Sequence, residues 1–465
     1  MSDLNKLTIT DALAGLKSKK FTPKELVVDC LAQIKKNSAK LNTYVTVLED
    51  SALKAADNAD LSLPLGGIPF AVKDNFLIED VRTTASSKVL DNYIAQYEST
   101  FTKRLKENGA IIIGKTNMDA WAHGSSTETS DYGPTHNPWD INRLPGGSSG
   151  GSAAAVSADE CIAAVGSETA GSIRQPSSWC GVVGFKPTYG RCSRYGTVAM
   201  KSSTDSPGPI CKTVDDAALV LSLVSGHDPH DATSIEEKSW IKPSPLTSLK
   251  GLKIGIPIAY FPKETQLDVK NSVMSAVDIL KKLGAQIIEL PDVLDPKYSI
   301  AVYTILQRSE VSSNLNRFDG IRFGNDRSFF GQEAKRRIML GTYSLSAGYY
   351  DAYYTKAQKV RTLICQDFDK QFSKVDAIVG PVSPCTALPL GASEGQAMFG
   401  ELQDMLLEPS SIAGLPGISV PCGFDKDGLP IGLDIMCPQK REDLVYQLAK
   451  IFEDNTDYHS MRPQI

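Results

Sequence analysis

The sequence predicts a layered α/β fold, and three observations support this class. Short apolar runs bounded by turns, as buried strands often are, occur at 68–72, 110–113, 252–256, 417–420 and 431–435. Residues 276–283 have the spacing of a helix and are followed, after a glycine, by a strand-like run at 286–290. Helices and strands therefore alternate along the chain, which is the arrangement typical of an α/β protein.

The first 60 residues are predicted to be helical. Apolar residues recur near helical spacing from Leu4 onward, and Thr22 is a capping residue placed before a proline at the first helical position. We expect residues 1–60 to pack on a single domain formed by residues 61–465. Proline and serine are frequent at 239–250, which makes this stretch the best candidate for a surface linker.

Composition excludes several classes of protein. The chain has 465 residues and a formal net charge of −5, which gives no sign of a broad nucleic-acid footprint. Its nine cysteines show no C-x-x-C spacing, so they indicate reduced thiols and neither a disulfide framework nor a zinc site. His227 and His230 lie in a polar loop without a ligand pattern, and no metal is expected.

The N-terminal segment gives an expectation about the compartment. It has no apolar run of the signal-peptide kind, and it contains Asp3 and Asp11, which are unusual in transit peptides. No stretch has the roughly 18 apolar residues that a membrane span requires. We expect a cytoplasmic protein, or one of an organelle matrix if a leader has been removed.

Residues 109–116 (GAIIIGKT) match the phosphate-loop pattern letter by letter. A phosphate loop needs a turning backbone whose amides converge on the anion. The variable positions here are Ala-Ile-Ile-Ile, which favour an extended buried strand. We therefore interpret the segment as a core strand that ends at Gly114, with no nucleotide bound there.

The segment 146–172 is unusually rich in small residues, because 19 of its 27 residues are Gly, Ser or Ala. A flexible linker could have this composition. However, apolar runs interrupt the segment at 161–165 and follow it at 182–185, which favours a tightly packed region. Small residues allow a backbone to approach a ligand closely and to point N–H groups at it, as an oxyanion hole requires.

A serine nucleophile in this segment would need a base to accept its proton. The chain has five histidines, and none belongs to a G-x-S-x-G context, so a histidine triad lacks support. Lys73 is a better candidate, because it ends the apolar strand 68–72 and burial there would disfavour its charged form. The alternative is an ordinary lysine at a strand end whose ammonium reaches water.

These elements together resemble the amidase signature family. Residues 67–74 (GIPFAVKD) are similar to its lysine motif, and 145–151 (PGGSSGG) to its first serine motif. Residues 166–176 (GSETAGSIRQP), continuing to 184–188 (GFKPT), resemble the signature itself. The two serines stand 24 residues apart, as they do in the family. The resemblance implies a layered α/β/α fold around a large mixed sheet and makes 61–465 the amidase domain.

The resemblance also implies roles for individual residues. Ser172 would attack the amide carbonyl and form an acyl ester, Ser148 would relay the proton, and Lys73 would be the final base. It implies a cis peptide bond between Gly147 and Ser148. The residues whose backbone N–H groups would line the oxyanion hole are Thr169, Ala170, Gly171 and Ser172.

Two residues depart from the family pattern, in which Asp-Thr-Gly-Gly usually precedes Ser-Ile-Arg. Here the run is Glu-Thr-Ala-Gly, at 168–171. Ala170 keeps its N–H group and can donate if its φ is negative. Glu168 is one methylene longer than aspartate, so its hydrogen bonds must shift. Neither change removes a catalytic atom, but both bear on the geometry of the oxyanion hole.

The second half resembles one branch of the family, the A subunits of aspartyl/glutamyl-tRNA amidotransferases. The similar stretches are 312–324, 330–338, 346–354 and 359–364. The resemblance implies that the chain hydrolyses glutamine and passes ammonia to a B subunit, while a small C subunit braces the pair. The B subunit would bind ATP and magnesium, make most tRNA contacts and convert Glu-tRNA(Gln) to Gln-tRNA(Gln). No cofactor is expected on the present chain.

Glutamine as substrate calls for a guanidinium at its α-carboxylate and a carboxylate at its α-ammonium. The family pattern implies Arg337 for the first and Asp404 for the second, with Tyr303 as a further pocket residue. The alternative for Arg337 is a solvated basic helix face, and for Asp404 an ordinary amphipathic helix. Two other functions remain open: a stand-alone amidase of small or aryl amides, and a non-catalytic scaffold that retains the fold.

Overall fold

The computed structural model describes residues 3–465. Within this part of the chain, eleven strands form one sheet against which the helices pack. The strands are β1 Tyr44–Val47, β2 Pro69–Lys73, β3 Ile111–Thr116, β4 Ala163–Glu168, β5 Val183–Lys186, β6 Ser206–Cys211, β7 Lys253–Pro257, β8 Gln286–Leu290, β9 Ala377–Pro381, β10 Gly417–Phe424 and β11 Pro430–Met436. The helices are α1 Ile9–Lys17, α2 Pro23–Leu41, α3 Glu49–Asp57, α4 Thr100–Glu107, α5 Gly150–Ser157, α6 Arg174–Cys180, α7 Val214–Val224, α8 Leu267–Lys282, α9 Lys297–Leu315, α10 Gln332–Leu345, α11 Lys356–Phe372, α12 Phe399–Asp404, α13 Glu408–Ile412 and α14 Glu442–Glu453.

The sheet is mixed, with strand order β1-β3-β2-β4-β6-β5-β10-β11-β9-β7-β8. Strand β2 runs parallel to both β3 and β4, and β7 runs parallel to β8 and β9. The other neighbouring strands are antiparallel, including the β10–β11 hairpin. The predicted α/β class with a large mixed sheet is confirmed.

The first 60 residues contain an element that the helical spacing did not predict. Strand β1 pairs antiparallel with β3 and forms one edge of the sheet. Helix α2 begins as predicted, because Thr22 and Glu25 form a reciprocal capping box and Pro23 occupies the first turn. The N-terminal segment therefore contributes both helices and a strand to the packed structure.

The segment that matches a phosphate loop is a strand. All six residues of β3 are buried, and Lys115 Nζ lies 3.0 Å from Asp74 Oδ1 and 2.9 Å from Thr83 Oγ1. A buried ammonium is stabilised by such a carboxylate partner. Lys115 is thus engaged inside the core. The segment is a core strand as predicted, but the strand continues to Thr116 and does not end at Gly114.

The small-residue segment 146–172 is packed into the centre of the molecule. Every residue of α5 and of β4 is buried. Gly151 shows why small side chains are needed, because a Cβ added there would lie 2.3 Å from the carbonyl oxygen of Asn117. The linker alternative for this segment is therefore wrong.

The proline-rich stretch 239–250 lies outside the helices and strands. It is nevertheless anchored, because Trp240 and Leu249 are buried in the main core. Among the described residues, no helix combines the length and the apolar character needed to cross a membrane.

Candidate active site

Lys73 lies at the end of β2, between the parallel neighbours β3 and β4. Its side chain is completely buried, so the alternative in which its ammonium reaches water is wrong. The Lys73 Nζ donates to Ser148 Oγ at 2.8 Å and to the carbonyl oxygen of Ser167 at 3.1 Å. The strand end thus holds an amine against a serine hydroxyl.

Burial lowers the pKa of Lys73 to about 7. Removal from water disfavours the charged ammonium. The carboxyl groups of Asp119, Asp205 and Glu168 oppose the shift only in part, because they favour the charged form. Near neutral pH, a substantial fraction of Lys73 is therefore the neutral amine, which is the form that accepts a proton.

Ser148 follows a cis peptide bond from Gly147, so this prediction is confirmed. The Gly147 N–H donates to Gln175 Oε1 at 2.9 Å. A Cβ on Gly147 would lie 2.1 Å from Asp119 Oδ2, so only glycine fits beside that carboxyl group. Gln175 and Asp119 therefore enclose the backbone that presents Ser148 to Lys73.

Ser172 lies in the loop between β4 and α6, and its residue is 4% exposed. Its Oγ makes no hydrogen bond to another group in residues 3–465, whereas the carbonyl oxygen of Ser172 accepts from the N–H of Ser149 at 3.3 Å. The second contact ties this loop to the residue next to Ser148. The hydroxyl of Ser172 is thus left free on a loop whose backbone is bonded to the residue next to Ser148.

The loop 169–172 also has unused backbone donors. Within residues 3–465, the N–H groups of Thr169, Ala170, Gly171 and Ser172 donate to no protein acceptor. Ala170 has a negative φ, as its predicted role as a donor requires. Most buried N–H groups in proteins are paired. Four consecutive free donors next to a free serine hydroxyl are suited to binding an oxyanion.

Glu168 fixes this loop through its carboxylate. One oxygen accepts from the N–H groups of Ile173 and Arg174, each at 3.0 Å, and the other accepts from the Arg174 guanidinium. Arg174 also donates to both oxygens of Asp434 at 3.1 Å. Burial would raise the pKa of the Glu168 carboxyl, but Arg174 holds it below its ordinary value. The longer acid therefore remains a charged anchor for the start of α6.

Asp404, at the end of α12, is buried against the same loop, so an exposed amphipathic helix does not describe it. One carboxyl oxygen accepts from Ser125 Oγ at 2.8 Å, and the other has no hydrogen-bond partner within residues 3–465. That second oxygen would be 2.5 Å from a Cβ on Gly171. Burial raises the pKa of Asp404 well above its ordinary value. An incoming cation beside Gly171 would satisfy this carboxyl group and keep it ionised.

Arg337 is the buried member of a basic cluster on α10, so the solvated-face alternative is wrong. Its Nε donates to Glu333 at 2.5 Å, and its Nη2 lies 3.9 Å from Glu401 Oε1. Burial would lower the pKa of Arg337, but Glu401 and Glu333 raise it. Tyr303 on α9 is 5% exposed, and its hydroxyl pKa is raised by burial. The structure thus places all three predicted substrate residues in buried positions.

Several buried groups in this region were not predicted. Both ring nitrogens of His123 and both carboxyl oxygens of Glu408 lack a hydrogen-bond partner within residues 3–465, as does Lys201 Nζ. Ser125 and Asp119, which contact Asp404 and Gly147, were also missed. The sequence run 119–126 offered a signal, since it combines Asp, Trp and His with five small residues shortly after an apolar segment.

Comparison with known proteins identifies relatives over nearly the whole chain. The family model described as Amidase matches residues 25–446. The A subunit of the glutamyl-tRNA(Gln) amidotransferase of Halothermothrix orenii is 47% identical over 484 residues, with 100% of each chain covered. The crystal structure of the protein of that name from Thermotoga maritima is 39% identical, covers 100% of this chain and 98% of its own, and superposes with a TM-score of 0.87.

A relative with a different activity has the same architecture. The structure named 6-aminohexanoate cyclic dimer hydrolase superposes with a TM-score of 0.91, at 26% identity, and covers 100% of this chain and 99% of its own. The fold is therefore common to proteins that are named for different activities. Function has to be argued from the residues that surround the serine.

Proposed function

This chain belongs to the amidase signature family, and we propose that it is the glutamine-hydrolysing subunit of a tRNA-dependent amidotransferase. The family resemblance predicted from the motifs at Lys73, Ser148 and Ser172 is confirmed. The proposal for this particular substrate is supported by near full-length relatives that are named as A subunits of the glutamyl-tRNA(Gln) enzyme.

We assign the hydrolysis to Ser172, Ser148 and Lys73. The Ser172 Oγ attacks the side-chain carbonyl carbon of glutamine, while its proton passes to Ser148 and the Ser148 proton passes to neutral Lys73. The N–H groups of 169–172 stabilise the oxyanion. The protonated relay then gives a proton to the leaving nitrogen, and ammonia departs from a glutamyl ester on Ser172. Water activated by the same relay hydrolyses the ester to glutamate.

One observation carries the choice of glutamine: a buried carboxyl group with a free oxygen beside Gly171. Asp404 is placed to accept the α-ammonium of an amino acid whose side-chain amide reaches Ser172. On this proposal the buried Arg337 guanidinium binds the α-carboxylate, and Tyr303, which has Arg337 and Asp404 among its charged neighbours, helps to form the substrate pocket. A neutral aryl amide has no ammonium for the free oxygen of Asp404, so it would leave that buried oxygen without a partner, which is costly inside a protein.

The resemblance further supports a three-subunit complex in the cytoplasm. We propose that B and C subunits join this chain, and that the B subunit uses ATP and magnesium to amidate Glu-tRNA(Gln) with the released ammonia. On this proposal the present chain binds neither ATP nor a metal. Its acidic net charge of −5 is consistent with tRNA contacts made mainly by the partner.

The experiment uses the complex purified from its own host, with wild-type and Ser172→Ala chains. Ammonia release is measured from glutamine and from a simple aryl amide, and tRNA amidation is measured with glutamine or with ammonium chloride. We expect wild type to prefer glutamine, and the variant to amidate tRNA only with ammonium chloride. Turnover of the aryl amide through Ser172 with inert glutamine would instead establish a stand-alone amidase.

A further inference from the structure

Lys201 is a buried cation that the proposed hydrolysis does not use. It lies in the loop before β6 and is completely buried, and its Nζ has no hydrogen-bond partner within residues 3–465. Its ammonium lies over the ring of Tyr303, 5.1 Å from the ring centroid. A cation within about 6 Å of an aromatic face is attracted by the ring, and more strongly when water is excluded.

The backbone of Lys201 is tied to the loop that carries Ser172. The Lys201 N–H donates to both oxygens of Asp205 at 3.1 Å, and Asp205 also accepts from Thr169 Oγ1 at 2.7 Å. One buried carboxyl group thus fixes both the first residue of the free-donor loop and the start of the Lys201 side chain. That side chain then extends to Tyr303 on α9.

Four charged groups face Lys201, and none of them forms an ion pair with it in the described chain. Glu310 on α9 accepts two bonds from Ser203, and Arg361 on α11 donates to the same residue. The Asp205 carboxylate accepts from the Lys201 N–H and from Thr169 Oγ1. Glu408 on α13 has two unpartnered oxygens, but it makes no contact with the ammonium short enough for a salt bridge. The ring of Tyr303 is therefore the defined contact of this cation.

We propose that Lys201 is a positioning residue that holds the Tyr303 ring in the substrate pocket and thereby sets the affinity for glutamine. This inference rests on the proposed glutaminase function. Tyr303 has Arg337 and Asp404 among its charged neighbours, so a shift of its ring changes the space between the groups that bind the two ends of the amino acid. The chemistry at Ser172 does not involve Lys201.

The affinity for glutamine is expected to depend on the protonation of Lys201. Burial lowers the pKa of Lys201 to about 8, with Glu310, Asp205 and Glu408 opposing the shift and Arg361 adding to it. The ammonium is present below this pH and is lost above it. Because only the charged form is held by the ring, the KM for glutamine is expected to rise as the pH increases from 7 to 9.

The test compares wild type with Lys201→Met, Lys201→Arg, Tyr303→Leu and the Lys201→Met/Tyr303→Leu double variant, each in the purified complex. Glutamine KM and kcat are measured at pH 7 and pH 9, together with the thermal midpoint. We expect Lys201→Met to raise KM by about 10-fold at pH 7 while kcat stays within about twofold, and to reduce the rise of KM with pH to the part caused by deprotonation of the α-ammonium of glutamine. Lys201→Arg should show the same reduced pH dependence but start from a low KM at pH 7, because its guanidinium stays charged.

Two controls separate positioning from a general structural role. Lys201→Met removes an unpaired buried charge, so its thermal midpoint should equal or exceed that of wild type. In the double variant, loss of Lys201 should add nothing to the KM of Tyr303→Leu. A Lys201→Met enzyme with the KM of wild type would overturn the inference and leave the glutaminase proposal intact. A wild-type complex that does not hydrolyse glutamine would overturn both.

Discussion

Two parts of the candidate site differ in how their charged side chains are satisfied. In the nucleophile wall, residues 145–176, Glu168 and Arg174 are held by defined hydrogen bonds to side chains and backbone, and the free donors within residues 3–465 include the backbone N–H groups of 169–172. In the helical wall, formed by α9, α10, α12 and α13, Asp404 has one unpartnered oxygen and Glu408 has two within residues 3–465. Both regions are buried, so exposure to water does not explain the difference.

The difference corresponds to two tasks. A group that stabilises a transition state must be in place before the reaction, and this requires fixed partners. A group that binds a charged substrate must keep a free donor or acceptor for it, because buried polar groups without partners are rare otherwise. The nucleophile wall fits the first task and the helical wall fits the second. The following predictions test this division.

The largest effect is expected at the proposed nucleophile. Ser172→Ala removes the only atom that forms the acyl ester, so glutaminase kcat should fall by more than about 10³-fold. The fold should be retained, since the Ser172 hydroxyl makes no hydrogen bond in the described chain. Ammonia release and the thermal midpoint are the measurements. Retention of more than a few per cent of the activity would remove Ser172 from the mechanism.

The next effect is expected where the nucleophile wall is internally paired. Glu168→Gln leaves Arg174 with only Asp434 as a charged partner, and the free energy of unfolding should fall by about 3 kcal/mol. Chemical denaturation measures this. Glu168→Asp is the matched control, because it keeps the charge and should lose less. Equal losses in the two variants would show that the side-chain length, and not the charge, is important here.

The helical wall should respond mainly in substrate binding, with some loss of stability because Arg337 also pairs with Glu333 and Glu401. Arg337→Met removes the guanidinium proposed for the α-carboxylate, so kcat/KM for glutamine should fall by about 30- to 100-fold, mainly through KM. Arg336→Met, on the same helix but less buried, is the control and should stay near wild type. If Arg337→Met leaves glutamine kinetics unchanged, this guanidinium does not bind the substrate.

The smallest effect is a pH dependence at the nucleophile wall. The pKa of Lys73 is lowered by burial to about 7, and the proposed base is the neutral form. The kcat/KM should therefore rise through pH 7 and should fall about tenfold for each pH unit well below it. A pH profile from 5 to 8 measures this. A flat profile across this range would contradict the role of Lys73 as a base.

The nucleophile wall could be predicted from the sequence because its signals are local. One signal is an apolar strand that ends in Lys73. The other is a short run rich in glycine and serine, in which Ser148 and Ser172 have a fixed spacing. The cis bond before Ser148 and the oxyanion loop followed from the family resemblance. The contacts of Glu168 and Arg174 needed the structure, because Arg174 joins the loop to Asp434 on β11 and Glu168 accepts from Ser411, both far along the chain.

The helical wall could be predicted only in part, because its burial depends on how distant helices pack. The family pattern predicted substrate-binding roles for Arg337 and Asp404. Their own segments gave no such signal, because their composition is equally typical of solvated helices. Glu408 and Lys201 gave no local signal, although both are buried through contacts with α9. Strand β1 was missed for a similar reason, because its pairing with β3 joins segments far apart in sequence.

The most direct test of the account is the identity of the covalent intermediate. The complex is mixed with glutamine, quenched in acid within the first turnovers, digested and analysed by mass spectrometry. The account predicts a glutamyl ester on the peptide that contains Ser172, and its absence when Ser172→Ala is treated in the same way. A glutamyl adduct on another residue, or rapid glutamine hydrolysis without any adduct on Ser172, would contradict it.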